Sequence, residues 1–112
     1  MTVFRSFLFA PGNDARKVGK VFSFGADAVI LDLEDAVPRT EKQAARDLLS
    51  TYLSDPPEPG TPRRYVRVNH PTNTELFKPD LACALTLDIE GIGLPKIETP
   101  DEVRAVDDAL AT

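Results

Sequence analysis

Three carboxylates stand within four residues of the sequence, at Asp32, Glu34 and Asp35. No basic residue lies between Val29 and Val37, so these acids would repel one another unless a cation or hydrogen bonds relieved them. Mg2+ is commonly held by one or two carboxylates together with substrate oxygens and water. The spacing is therefore compatible with a magnesium site. The alternative is that one acid caps a neighbouring loop and the others are solvated.

One arginine, Arg67, stands in an apolar segment between Val66 and Val68. A charged side chain is costly there unless it is paired, and a guanidinium binds carboxylate or phosphate through two parallel hydrogen bonds. Arg67 is interpreted as an anchor for an anionic substrate or as a structural ion pair with the acidic cluster, and the two roles are compatible. Lys96 could add positive charge nearby, whereas His70 has no partner pattern and is interpreted as a loop residue.

The candidate residues follow short apolar segments that are typical of buried strands. Strands are expected at 7–10, 28–31, 65–68 and 91–95, and helices at about 14–24, 41–54, 76–87 and 99–110. Strands that alternate with helices imply a parallel sheet with right-handed crossovers, here in one α/β domain over residues 1–112. Ligands bind at the carboxyl ends of such strands, and three of the four expected ends are charged.

Local signals indicate where the helices begin and end and which side of them is buried. Asn13 is expected to cap the first helix and Gly25 to end it, while Pro79 is expected in the first turn of the third. The remaining signals are a Thr40–Gln43 capping box, an apolar stripe in the second helix (Ala44, Ala45, Leu48, Leu49, Tyr52) and a fourth helix start at Thr99, Pro100 and Glu102.

The composition argues against several functional classes. The 112 residues carry 13 Lys+Arg and 18 Asp+Glu, a formal net charge of -5. This acidic balance argues against nucleic-acid partners and against an anionic membrane surface. No apolar run approaches the ~18 residues of a membrane span, and no secretory signal is visible, so a cytoplasmic location is expected. Cys83 is the single cysteine, which excludes an intrachain disulfide, and it is interpreted as a buried structural thiol.

Four sequence motifs, considered together with their order and spacing, indicate a family resemblance. They lie at residues 5–13, 25–37, 66–69 and 93–98. The most specific of them contains Leu31-Asp32-Leu33-Glu34-Asp35-Ala36-Val37. Together they resemble the citrate lyase beta-subunit-like branch of the HpcH/HpaI aldolase and citrate lyase family. The resemblance implies a TIM barrel, of which this chain would form a parallel (β/α)4 half. It also implies Mg2+-dependent cleavage or formation of a carbon–carbon bond in acyl-CoA thioesters of the citryl-CoA or malyl-CoA type.

The resemblance also assigns roles to individual residues. The family arginine that matches Arg67 binds the oxo-acid or carboxylate part of the substrate, and Asn69 ends the same motif as a second substrate-binding residue. The acids that match Glu34 and Asp35 lie beside the metal, largely through water. The nearest matches to basic residues that contact the CoA phosphates are Arg16 and Lys20.

The length of the chain limits what it is expected to do alone. A closed (β/α)8 barrel needs roughly 200 residues or more, and the resemblance places the direct metal ligands, a glutamate and an aspartate, on the fifth and sixth strands. The 112-residue chain is therefore expected to be inactive alone, or to complete its barrel as a homo-oligomer or with a complementary half-barrel chain, because open sheet edges invite association. The alternatives are a non-catalytic half-barrel subunit and a flavodoxin-like binding domain, for which no phosphate or flavin loop is present.

Overall fold

Four short strands lie side by side in the order in which they occur in the sequence. The computed structural model describes residues 6–95, 100, 101 and 104. The strands are β1 (Phe7–Pro11), β2 (Ala28–Asp32), β3 (Arg63–Arg67) and β4 (Gly91–Gly93). The helices between them are α1 (Ala15–Val21), α2 (Lys42–Leu53) and α3 (Thr74–Ala84), and a 3-10 turn at Arg39–Glu41 leads into α2. The three strand pairs are parallel, so the predicted α/β alternation is confirmed.

The register of the sheet brings the predicted site residues onto neighbouring strands. Pro11 is paired with Asp32, Asp32 with Arg67, and Arg67 with Gly93. These four residues end their strands, so they meet at one edge of the sheet, where ligands bind in parallel α/β folds.

The two faces of the sheet differ in what covers them. One face contributes apolar side chains to a core shared with the helices; its members include Leu8, Ala10, Val29, Leu31 and Val66 from the strands and Val18, Leu49 and Leu81 from the helices. The other face carries Phe7 and Phe9, which are 48% and 57% exposed, beside half-buried Ile30 and Tyr65. Parallel sheets are normally covered on both faces, and the described part of the chain leaves this second face open.

The ends of α1 differ from the prediction. Asp14 caps the helix, since its Oδ1 accepts a 3.0 Å hydrogen bond from the Lys17 amide. The prediction of Asn13 as the cap is wrong, because the turn after Pro11 carries the chain one residue further; Asn13 instead donates from Nδ2 to Glu41 Oε1 at 3.0 Å. The helix ends at Val21, so Gly25, with a φ of 76°, lies in the following loop and does not terminate it.

The starts of α2 and α3 also differ. The Thr40–Gln43 capping box is not formed, because the 3-10 turn runs directly into α2 and no side chain caps it. Pro79 lies inside α3, beyond its first turn. The reason is that α3 begins at Thr74, where the Asn73 carbonyl accepts a hydrogen bond from the Phe77 amide at 2.8 Å.

The buried side of α2 agrees only in part with the predicted apolar stripe: Ala45 and Leu49 are buried and Leu48 packs partly buried against the core, as predicted. The residues it buries are Lys42, Ala45, Arg46, Leu49 and Leu53. Ala44 and Tyr52, which the prediction placed inside, are exposed. The stripe is rotated because two charged side chains have polar partners in the interior, and these partners are described below.

The fourth helix falls mainly outside the described residues. Pro100, Asp101 and Arg104 are helical, as predicted. The predicted cap Thr99, its partner Glu102 and the candidate Lys96 lie outside the described residues. Among the described helices, none has the length and apolar character needed to cross a membrane.

Candidate functional site

Asp32 and Arg67 form the centre of the site, on adjacent strand ends. Arg67 donates from Nε to Asp32 Oδ1 at 2.8 Å and from Nη2 to Oδ2 at 2.9 Å. The Asp32 side chain is 2% exposed and that of Arg67 is 29% exposed. A bidentate pair of this kind fixes the plane of the guanidinium, so the expected structural ion pair is present.

The remaining capacity of the Asp32 carboxylate is used by the backbone. Its Oδ1 accepts from the Glu34 amide at 2.9 Å and its Oδ2 accepts from the Ala36 amide at 2.8 Å. Burial alone would raise the pKa of Asp32, but the hydrogen bonds from Arg67 and these amides outweigh it and hold the pKa below the ordinary value of 3.8. Asp32 thus stays ionised, braces Arg67 and organises the residues that follow, which we call the acidic turn (residues 32–35).

The other two carboxylates of the acidic turn have spare capacity. Glu34 Oε1 is buried without a hydrogen-bond partner and lies 3.8 Å from Arg67 Nε. Burial raises the pKa of Glu34 above its ordinary value of 4.5, and the adjacent Asp35 adds to the rise. Asp35 itself is exposed. A buried carboxylate oxygen that has an ion pair but no hydrogen bond, beside a second acid, attracts a cation or an ordered water.

This turn suits Mg2+ only in part. Oxygen donors are what the ion prefers, and Glu34 and Asp35 supply them. Within residues 6–95, 100, 101 and 104, however, no group of three acidic, histidine or cysteine side chains is arranged to hold a metal ion. The acidic turn supplies oxygen atoms on one side only, and a contact of Glu34 and Asp35 with a metal site stays a prediction.

Arg67 faces a cavity of about 280 Å3 at the carboxyl edge of the sheet; its lining is Phe9, Ala10, Pro11, Asp32, Ala36 and Arg67. The guanidinium carbon lies 5.3 Å from the centre of the Phe9 ring, within cation–π range. No acceptor for Arg67 Nη1 is found among the described residues. The cavity thus combines an apolar wall with free N–H donors, a combination suited to a small carboxylate with a short carbon chain.

Asn69 lies below this cavity and not on its surface. It is 5% exposed. Its side-chain oxygen accepts from Lys42 Nζ at 3.1 Å, and its Nδ2 donates to the Leu33 carbonyl at 2.8 Å and to Asp80. The internal hydrogen bonds therefore occupy the polar atoms of this side chain, and direct contact of Asn69 with a substrate stays a prediction.

Sequence reasoning missed three residues beneath the site: Lys42, Arg46 and Asp80. Each is buried, with 7%, 7% and 0% exposure, and Arg46 Nε donates to Asp80 Oδ1 at 2.7 Å. A signal was present, since Lys42 and Arg46 occur at i and i+4 on the same side of α2 as Leu49. Charged residues on the apolar side of a helix indicate buried polar partners.

The basic candidates of α1 lie on the surface. Arg16 and Lys20 are exposed. Arg16 is in the first turn of the helix, at the same edge as the cavity, whereas Lys20 is in the last turn. Their predicted contact with CoA phosphates stays a prediction.

Comparison with known proteins identifies relatives of this chain. The family profile described as HpcH/HpaI aldolase/citrate lyase matches residues 5–112. A (3S)-malyl-CoA thioesterase of Cereibacter sphaeroides is 40% identical over 107 residues, covering 96% of this chain and 37% of that protein. Citrate lyase subunit beta of Leuconostoc mesenteroides is 38% identical over 95 residues, covering 85% of this chain and 31% of that protein.

A solved structure agrees with the fold. The crystal structure of CitE from Mycobacterium tuberculosis in complex with magnesium, acetoacetate and coenzyme A matches with a TM-score of 0.70 and 34% identity, over 87% of this chain and 34% of that one. The chain thus spans about a third of the length of these relatives. The predicted fold and the predicted resemblance are confirmed, and the chain belongs to the HpcH/HpaI aldolase/citrate lyase family.

Proposed function

We propose that the chain forms the substrate-anchoring half of a Mg2+-dependent carbon–carbon lyase acting on an acyl-CoA thioester of the citryl-CoA or malyl-CoA type. The observation that carries the proposal is the guanidinium of Arg67, held by Asp32 at the floor of a cavity next to the acidic turn. Membership of the family supports it, as does the magnesium, acetoacetate and coenzyme A complex of the CitE relative.

The role of Arg67 follows from which of its donors are free. Asp32 accepts from the single Nε–H and from one of the two Nη2 N–H groups. The edge of the guanidinium formed by Nη1 and Nη2 therefore remains available to a ligand. A carboxylate of an oxo acid matches that edge, because its two oxygens accept parallel N–H bonds. The Phe9 ring covers one side of the guanidinium and excludes water there, which strengthens the contact. Arg67 thereby orients the substrate.

Cleavage of the carbon–carbon bond in a 3-hydroxyacyl thioester transfers the hydroxyl proton to a base and converts that carbon to the carbonyl of the oxo acid. The electron pair of the broken bond is delocalised onto the thioester oxygen as an enolate. When bound, Mg2+ supplies positive charge where an oxygen becomes negative. Glu34 and Asp35 would hold the ion from one side, largely through water, and the family resemblance assigns its direct ligands to later strands. In this chain, the Glu34 oxygen without a hydrogen-bond partner is the atom best suited to receive a metal-bound water.

The CoA part of the substrate would lie over the surface at the start of α1. Arg16 is exposed at the cavity edge and carries the positive charge that a CoA phosphate requires. Lys20, one turn further from the cavity, would reach the nucleotide end of CoA.

Titration of the chain with acetoacetate in the presence of Mg2+, followed by isothermal titration calorimetry, tests the anchor. Wild type is expected to bind. The affinity of Arg67→Lys is expected to be lower by at least about ten-fold, because an ammonium cannot donate in parallel to both oxygens. Arg63→Lys, at the opposite end of the same strand, is the matched control. Equal affinities for Arg67→Lys and Arg63→Lys would refute the role of Arg67.

Turnover by the chain alone is not expected, because the described residues lack a complete set of metal ligands. An assay with purified chain, Mg2+ and malyl-CoA should give no acetyl-CoA above background. Appreciable Mg2+-dependent cleavage would contradict this part of the proposal.

The second candidate is a non-catalytic half-barrel subunit, favoured by the open sheet face with exposed Phe7 and Phe9. Calorimetry separates the two candidates by mixing this chain with the remaining (β/α)4 half of a relative. Binding that restores Mg2+-dependent cleavage supports the enzyme. Binding without cleavage supports the subunit.

A further inference from the structure

Lys42 is a buried cation whose three N–H donors are all used by oxygens without formal charge. Its Nζ donates to the Leu33 carbonyl at 2.7 Å, to the Glu34 carbonyl at 2.6 Å and to Asn69 Oδ1 at 3.1 Å. An ammonium has three donors and no acceptor, so the group is fully satisfied. Burial lowers the pKa of Lys42 from 10.5, while the carboxylates of Asp80 and Asp32 oppose the change. Burying an ammonium costs free energy of solvation, so a role for Lys42 is to be expected.

The ammonium belongs to a continuous polar chain that joins four elements. Asn69, which accepts from Lys42, donates from its backbone amide to Asp80 Oδ2 at 2.8 Å. Arg46 on α2 pairs with the other oxygen of Asp80 at 2.7 Å. Two residues of α2 therefore hold the end of β2, the residues after β3 and the middle of α3 in one arrangement.

The acidic turn is held from both sides as a result. Lys42 binds the carbonyl oxygens of Leu33 and Glu34 from within. On the other side, the Asp32 carboxylate accepts from the amides of Glu34 and Ala36 and also binds Arg67. A displacement of the backbone at Glu34 would therefore move both the Glu34 carboxylate and the brace of Arg67.

We propose that Lys42 is a positioning residue of the candidate site: its buried ammonium fixes the backbone of the acidic turn and thereby sets the Glu34 carboxylate and the Asp32–Arg67 pair in their relative positions. It acts through main-chain carbonyls and touches neither the cavity nor a substrate. The purpose of this positioning rests on the proposed function, whereas the positioning itself does not.

Hydrogen exchange followed by NMR tests the role on the full chain without any ligand. In Lys42→Met, which keeps an unbranched side chain but removes the ammonium, the Glu34 and Ala36 amides and the Arg67 Nε–H are expected to exchange at least about ten-fold faster. The Leu31 amide, within β2, is expected to keep the wild-type rate. Lys78→Met, the same change at an exposed position of α3, is the matched control and should alter none of these rates.

Two results would overturn the proposal. Unchanged exchange at Glu34, Ala36 and Arg67 would show that the ammonium does not hold the turn. Equal acceleration at Leu31 would show that Lys42 contributes only to global stability.

Lys42→Arg keeps the charge and decides the question if Lys42→Met does not fold. A planar guanidinium cannot direct donors to three acceptors grouped around one tetrahedral nitrogen, so the same local acceleration is expected, and unchanged rates would count against the proposal. Failure of wild type to bind acetoacetate with Mg2+ would refute the proposed function and leave these exchange results to decide the positioning role separately.

Discussion

At the scale of single residues, the Asp32–Arg67 pair ties the stability of the sheet edge to the geometry of the cavity. Replacing Asp32 by Asn removes the charge that balances Arg67 and one of two acceptor oxygens. We expect Asp32→Asn to lower the free energy of unfolding by about 2–3 kcal/mol, below the cost of breaking a fully buried pair because Arg67 is partly exposed. Urea unfolding measures this, with Asp55→Asn as an exposed control expected within about 0.5 kcal/mol of wild type. Equal losses in both variants would contradict the prediction.

The two shifted carboxylates of the acidic turn give opposite pH dependences. The pKa of Asp32 is lowered from 3.8, so its contribution to stability is present above that pH and is lost as the pH falls. The pKa of Glu34 is raised from 4.5, so the folded state is favoured at low pH and loses stability as the pH rises through the raised value.

Replacing Glu34 by Gln removes this loss, because the neutral amide mimics the protonated acid. Relative to wild type, Glu34→Gln should be more stable at pH 7 than it is at pH 4. Chemical unfolding at the two pH values measures the difference, and Glu58→Gln in an exposed loop is the matched control. A benefit of Glu34→Gln that is greater at pH 4 would show that the sign is wrong.

Sequence reasoning reached the charged residues of the strand ends but not their supports. Arg67 and the three acids could be predicted because charges stand out beside apolar strands. The sequence predicts an ion pair of Arg67 with the acidic cluster as one of two compatible roles, whereas the choice of Asp32 and the bidentate geometry depend on the register of the assembled sheet. Asp80 carries no such signal, because its partners are 11 and 34 residues away in the sequence.

At the scale of elements, Gly12 controls the approach of the first turn to the end of β2. Its amide donates to the Asp32 carbonyl at 2.7 Å, and an added Cβ would lie 2.7 Å from that same oxygen. We expect Gly12→Ala to destabilise the chain by about 1–3 kcal/mol, because the turn must move away from the strand.

Gly19→Ala is the matched control for that change. Gly19 lies inside α1, and an added Cβ there meets only the Tyr52 side chain at 3.6 Å, an ordinary contact. The helix propensity of alanine should make this variant up to about 1 kcal/mol more stable. Thermal unfolding of both variants gives the comparison, and a stable Gly12→Ala protein would contradict the close approach.

The elements themselves were predictable to within a few residues, whereas the orientation of α2 was not. Apolar periodicity favoured Ala44 and Tyr52 as buried residues, but Lys42 and Arg46 occupy the inner side instead. A prediction from apolar periodicity places charged residues on the exposed side of a helix. Here buried acceptors on other elements compensate for the cost, and they cannot be seen in the local sequence.

At the scale of the whole molecule, the open sheet face predicts self-association or capture of a complementary chain. Phe9→Lys places a charge on the β1 side of that face and should shift the chain towards monomer in sedimentation velocity at micromolar concentration. Phe24→Lys is the matched control, since Phe24 is 65% exposed and lies outside the sheet. A wild-type chain that is already monomeric would contradict the prediction, as would equal effects of the two substitutions.

The strands lie in the sheet in the order 1-2-3-4, which is the order in which they are synthesised. Each strand after β1 pairs with the strand that precedes it in the chain, so each later βα unit that leaves the ribosome meets an edge that is already formed. No strand has to wait for a segment beyond the next βα unit, so the strands can pair in the order in which they are synthesised. The sheet can therefore be assembled during synthesis, one unit at a time, with the edge of β4 as the template for whatever strand is presented next.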